Sequence, residues 1–479
     1  MPAGAFPFLS AWQSAKKKPG FLGRFTGSAF PASVVFFYHE TIHENIWRKW
    51  RNKNKRTGEK NMTGKEKLKL ALNHEEGPLL FDIGGMPTTG MHCIVMEELR
   101  DYYGLEKHPI KILEPVQMLG VVEEDLKECL GVQTTPLWSA GCMFGFRVED
   151  KWKEWRTPWG QDVLVPEEFE VTTNEKGDTL IYACGDRNSE PAGCMPKTGK
   201  FFDNIDRAPE YDEDTYDVRD NFEEFQPVGE RDLAWLKKQK EAIGETGDVV
   251  MGNLGGTAFG DPALVPGPML RAPKGIRRLT DWYMATVSDQ DILHEIFSHE
   301  VEVGLKNLEK MYGVLGDFLD VTYICGTDFG SQRAPFYSVA TFNDVYAPYY
   351  KKVDDWIHTH TKWATFKHTC GSIEPFIGGM ADAGLDCINP VQWTANHMDR
   401  NLLKEKYGGR VVFWGGGIDT QHMLPEGTPE QVYEQALECC RIFGKGGGYV
   451  FNTIHNIVPG VSAANVDALA RAVRTYNRG

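Results

Sequence analysis

Between Asp320 and Val473 one pattern recurs five times: a short apolar run, a loop that opens on polar residues, then a stretch with helical spacing. The runs are Asp320–Ile324, Trp363–Phe366, Asp386–Ile388, Val411–Trp414 and Tyr449–Phe451. Apolar runs without alternation mark strands buried on both faces. Strands that alternate with helices imply a parallel sheet with right-handed crossovers. In every unit the unusual polar residues follow the strand and never precede it. On a (β/α)8 barrel of the TIM type these positions meet at one face, where such barrels carry their active sites. A doubly wound open sheet would also gather its loops at one edge. The glycine-rich loop Gly252–Gly260 lacks both Gly-Lys-Ser/Thr and Gly-x-Gly-x-x-Gly, so no nucleotide fingerprint supports that alternative. The sustained repeat favours the barrel.

The rest of the chain is read against this α/β frame. Residues 1–61 hold 11 Lys/Arg against 3 Asp/Glu in a chain of net charge −15, and are expected to be a basic, disordered extension. Helical spacing starts after Met62, at Leu68, Leu70, Ala71 and Leu72, so residues 62–479 are taken as the barrel. Leu79–Asp82 reads as a strand, followed by a loop, Gly84–Gly90, whose Gly84, Gly85 and Thr88 are candidate substrate contacts. Residues 135–240 read as an inserted, β-rich cap region. Its Trp138, Trp152, Trp155, Trp159, Phe201 and Phe202 could either pack internally or stack on a flat substrate. Asp248–Met251 is a strand, and Ser288 is expected to cap a long helix carrying Leu293, Phe297, Val301, Leu305 and Leu308. Thr428-Pro429-Glu430-Gln431 spells a capping box with Pro at the first helical position.

The excess of acidic residues argues against a nucleic-acid partner. No apolar run reaches 18 residues, so no membrane span is expected. Ten cysteines without framework spacing suit a reducing compartment, the cytoplasm.

The chemistry gathers at strand ends. His368 and Cys370 stand two apart after an apolar run, and residues i and i+2 of an extended segment point to one side. They can offer a nitrogen and a sulfur to one ion, two of the three protein ligands of an open zinc site. His455, after the last strand, completes an N/S/N set. Its ring nitrogen must then come within about 3–4 Å of that of His368, because zinc–nitrogen bonds are only about 2.0–2.1 Å. Asp328, Gln392 and Asp419 fall at the ends of other strands. Asp328, Asp419 and Gln392 are catalytic candidates, the two carboxylates for proton handling or ligand support, with Asp328 and Gln392 also able to contact substrate.

Five segments then carry a resemblance. Phe-Lys-His-Thr-Cys-Gly-Ser-Ile-Glu-Pro-Phe-Ile, Ile-Asn-Pro-Val-Gln, Phe-Trp-Gly-Gly-Gly-Ile-Asp-Thr-Gln, Leu-Pro-Glu-Gly-Thr-Pro-Glu-Gln-Val and Gly-Gly-Gly-Tyr-Val-Phe-Asn-Thr-Ile-His-Asn-Ile resemble the uroporphyrinogen decarboxylase superfamily. The resemblance runs from about Met62 to the end and thins across 135–240. It implies a single (β/α)8 barrel with one of two activities: porphyrinogen decarboxylation, or methyl transfer to or from a corrinoid (cobalamin) carrier protein. Decarboxylases of the family share an arginine-rich Met-Arg-Gln-Ala-Gly-Arg segment that grips the substrate's carboxylates. The corresponding loop here, Asp-Ile-Gly-Gly-Met-Pro-Thr-Thr-Gly, has no arginine. The methyltransferase branch uses His-x-Cys and a later third ligand for zinc. The resemblance therefore favours zinc-dependent, corrinoid-linked transfer of a methyl group from or to a small methylated compound, a methoxylated one above all, with O-demethylation as the reaction. A homodimer is an open assembly state. A barrel that binds a corrinoid carrier or metabolite without catalysis is the reading of a different class.

Overall fold

A computed structural model describes residues 62–149, 151–254 and 257–479. The basic segment 1–61 lies outside the described residues.

Seven parallel strands form one sheet: β1 (Thr134–Trp138), β2 (Val249–Asn253), β3 (Val321–Cys325), β4 (Ala364–His368), β5 (Cys387–Asn389), β6 (Val412–Trp414) and β7 (Tyr449–Val450). They pair in chain order. The run expected as the first strand is reduced to one parallel bridge, Phe81 to Phe451. Around it the Asp82 N–H donates to Phe451 O (3.0 Å), Phe451 N–H to Leu80 O (2.9 Å) and Gln133 N–H to Phe81 O (3.1 Å). Leu80–Asp82 thus joins β7 to β1 and closes a (β/α)8 barrel.

Side-chain alternation along the strands builds two cores. Val249, Met251, Val321, Phe366, Trp414 and Val450 fill the barrel lumen, floored by Leu68 and Ala71 of helix α1 (Gly64–Leu72). Helix α1 starts from a Thr63–Glu66 capping box and sits at the N-terminal ends of the strands, where Lys65 N–H donates to Gly247 O at 3.1 Å. Intervening residues such as Val250, Ile324, Ile388 and Phe413 face the helices. Burial on both faces is why the strands read as unbroken apolar runs. In the lumen the buried Asp82 carboxylate accepts from Thr134 Oγ1 (2.7 Å), Trp414 Nε1 (2.9 Å) and Gly85 N (3.0 Å), a polar knot across three strands.

The helical expectations fare well, with one correction. Thr428 and Gln431 cap Pro429–Gly444 reciprocally. Ser288, however, is the last residue of a separate helix, Leu279–Ser288, and the long helix α2 (Gln290–Leu315) starts after Asp289. Two consecutive helices meet at one non-helical residue there, which apolar spacing alone does not reveal. The inserted region also begins and ends differently. Thr134–Trp138 is a barrel strand and Glu230–Ile243 a helix; between them lie one small sheet and two strands of a second, which is completed by Ile110–Glu114 and Leu119–Gly120 from earlier in the chain. Its aromatics pack within the insertion and on the barrel rim: Trp155 against Phe169 (4.9 Å), Phe202 against Phe144 (6.1 Å), Trp159 and Phe201 against His92 (5.7 and 5.5 Å).

Candidate metal centre

β4 and β5 pair so that His368 lies opposite Asn389. That register sets the imidazole: His368 Nδ1 is 2.6 Å from Asn389 Oδ1, and the Asn389 amide donates onward to Trp414 O at 2.9 Å. An amide oxygen can only accept, so Nδ1 carries the hydrogen and Nε2 keeps its lone pair. Nε2 stands 3.1 Å from Cys370 Sγ. His455 brings its ring centroid within 5.7 Å of that of His368, and one donor atom from each of His368, Cys370 and His455 lies within 4.8 Å of the others. Ligands of one zinc ion stand about 3–4 Å apart, and the trio is close to that spacing. Among the described residues this is the one group of three such donors that could hold a metal.

Protonation suits the donor set. Burial pulls both imidazoles down to about 4, so each is neutral at pH 7. Burial, reinforced by Asp328, pushes the Cys370 thiol up, and a bound divalent ion is what would hold it as thiolate. The nitrogen and sulfur donors thus fit zinc.

The neighbouring loop fixes the cysteine. Asp328 Oδ1 accepts from Cys370 N–H at 2.6 Å, and Gln392 Oε1 accepts from Gly371 N–H at 2.7 Å. Gly371 has φ +88° and packs its Cα against the Gly330 and Ser331 main chain, with a Cβ there falling 2.6 Å from Ser331 O. Gly371→Ala should therefore cost at least about 2 kcal/mol, read as a drop in the denaturant midpoint, because strain and clash add.

Asp419 stands apart. Its carboxylate accepts from Gln421 N–H (2.8 Å) and His422 N–H (3.2 Å) and pairs with the His422 ring (3.2 Å), all within its own turn. The Gly84–Gly90 loop also turns inward: Gly84 N–H donates to Thr89 O (2.7 Å), Gly85 N–H to Asp82, and Thr88 Oγ1 is buried without a partner. Its link to the site is indirect. Asn456, next to His455, accepts from Gly90 N–H at 2.6 Å and donates to Pro87 O at 2.9 Å, clamping the loop of His455 to the loop of the first strand.

Two residues escaped the reading of the sequence. Asp261, buried and pushed up to about 6 by that burial, and the hydroxyl of Tyr323 converge on the main chain of Gly326, where no Cβ would fit. Tyr323 reads as one more apolar strand residue. Asp261 follows a strand at the end of a loop that attracts notice only for its glycines.

Residues 320–476 match the family model described as Uroporphyrinogen decarboxylase (URO-D). The chain is 32% identical over 98 residues to a uroporphyrinogen decarboxylase of Saccharophagus degradans, covering 20% of this chain and 26% of the relative. It is 30% identical over 102 residues to that of Pseudoalteromonas translucida, covering 21% and 27%. The match thus spans about a quarter of the length of these curated relatives. In fold the chain is similar to a methyltransferase from Methanosarcina mazei, with a TM-score of 0.50 and 15% identity over 87% of this chain and 99% of that one. Five strand ends and the donor trio fall inside the matched stretch, so the similarity to the uroporphyrinogen decarboxylase family model covers the site itself.

Proposed function

We propose that this protein is a methyltransferase that moves a methyl group between a small methylated substrate, a methoxylated one above all, and a corrinoid carrier protein, with zinc held by His368, Cys370 and His455. The observation that carries the reading is the donor trio at the barrel mouth, with His368 already oriented by Asn389. When bound there, zinc would supply a Lewis acid that polarises the substrate oxygen or sulfur next to the methyl group. The chain's own part is positional: Asn389 fixes the His368 tautomer, while Asp328 and Gln392 hold the main chain on either side of Cys370. Asp328 and the Asp261–Tyr323 pair then offer the groups that could pass a proton to a departing oxygen.

Decarboxylation is the second reading, and the names of the curated relatives favour it. Against it stand the arginine-free first loop, whose amides are engaged within the barrel, and the carboxylates Asp261 and Asp328 at the mouth, which would repel a substrate bearing many carboxylates. Ten free cysteines suit the reducing cytoplasm, and no helix among the described residues is long and apolar enough to cross a membrane.

The test is direct. Protein incubated with a reduced corrinoid protein and a panel of methoxyaromatics, methylamines and methyltetrahydrofolate should give methyl-cobalt absorbance with one of them. His368→Ala/Cys370→Ala should give none and carry no zinc. Conversion of uroporphyrinogen to coproporphyrinogen by the unmodified protein would overturn the proposal in favour of the decarboxylase.

A further inference from the structure

Lys367 is a charge in an unusual place. It is 1% exposed, and among the described residues no carboxylate forms an ion pair with it. Lysine is rarely buried without a partner, because taking an ammonium out of water is expensive. Here its Nζ donates to Thr327 O (2.8 Å) and His368 O (3.0 Å), and lies 4.9 Å above the Phe329 ring and 5.2 Å above that of Tyr350. Carbonyl dipoles and ring faces surround it, and the Asp261 and Asp328 carboxylates act on it electrostatically without an ion-pair contact.

The two carbonyls belong to different loops. Thr327 precedes Asp328, and His368 is a member of the donor trio. Two more ties run in parallel with the lysine: Cys370 N–H to Asp328 Oδ1 (2.6 Å) and Phe329 N–H to Thr369 Oγ1 (3.0 Å). Thr327 extends the seam by donating its hydroxyl to Ala258 O (2.8 Å) and Phe259 O (2.9 Å), on the loop that leads to Asp261. Lys367 lies on the face of β4 opposite the His368 side chain, and its Nζ bonds main-chain carbonyls and none of the three donor atoms. It is instead the buried pin of the seam joining the β3 and β4 loops.

We propose that Lys367 is a positioning residue of the metal centre, holding the Asp328 loop against His368 so that Cys370 is presented at the distance a shared ion needs. The proposal rests on the metal reading above, and its test separates the two. Full-length protein is titrated with cobalt(II), whose thiolate charge-transfer and visible bands report ligand geometry, and zinc affinity is then measured by chelator competition. Lys367→Met, close in volume, should fold with unchanged far-UV dichroism, bind zinc about 10–100-fold more weakly, and show displaced cobalt bands. Lys367→Arg, which keeps charge and donors, should recover part of both. A folded Lys367→Met protein with wild-type zinc affinity and cobalt spectrum would overturn the proposal. Should that variant fail to fold, Lys367→Gln, which keeps a donor for Thr327 O but not the charge, is read by the same two criteria. Unmodified protein that takes up neither metal overturns the metal reading itself.

Discussion

Alanine at His455 should yield a folded protein with little zinc and no measurable methyl transfer. The residue is one of three donors, and the hydrogen bonds that hold its loop run through the Asn456 side chain and from the Thr453 hydroxyl to the His455 main-chain carbonyl, which alanine keeps. The loss in affinity should exceed the about 10–100-fold typical when only a residue supporting a ligand is removed. Cysteine at the same position should restore part of the metal content and of the activity, since a thiolate is an equally good zinc donor. Metal analysis of purified protein and methyl-cobalt formation are the two measurements. Full zinc occupancy in the alanine variant would move the third ligand to Asp328, which already touches Cys370.

The second large effect lies at the opposite end of the barrel and concerns stability. Asp354 is fully buried on the helix Ala347–His360, and neither carboxylate oxygen has a hydrogen-bond partner. The nearby Thr365 hydroxyl is engaged with Asp386, which also pairs with His358 at 2.7 Å. Burial pushes Asp354 up to about 8, with Asp386 and Asp355 adding to the rise and His358 opposing it. Between the ordinary carboxylate range and pH 8 the folded state therefore holds a proton that the unfolded chain has lost, and stability from this group falls as pH rises. The slope is about 1.4 kcal/mol per pH unit. Asp354→Asn should be the more stable protein, by a margin that widens at that rate from pH 5 to 6. In that window His358, itself raised by Asp386, is charged in both states and does not contribute. Urea titrations at several pH values measure the margin. A margin independent of pH would show that Asp354 is ionised in the fold.

What the sequence disclosed and what it withheld divide along physical lines. Strands buried on both faces must be apolar throughout, and polar residues at their ends are then conspicuous, so His368, Cys370 and His455 could be picked out by position. The Thr428 capping box is a local contract among four neighbours and reads directly. Orientation is another matter. Lys367 and His368 are adjacent letters on opposite faces of β4, and only the barrel's closure decides which face is the mouth. Tyr323 looks like core because most of it is core. The insertion's tryptophans promise a stacking platform by composition, yet their ring partners are Phe169 and His92.

The closing bridge between Phe81 and Phe451 has a kinetic consequence. Asp82 and Asn452, which hydrogen-bond across that seam at 2.8 Å, are 370 residues apart in the chain. Such a contact is among the last that a growing chain can make, since its entropic cost is met only when nearly everything between is in place. His455 lies just beyond the seam, whereas His368 and Cys370 belong to a single strand and its loop. A partly synthesised chain could thus offer two donors long before the third arrives. If zinc binds as proposed, its tight capture would then depend on the circle being joined.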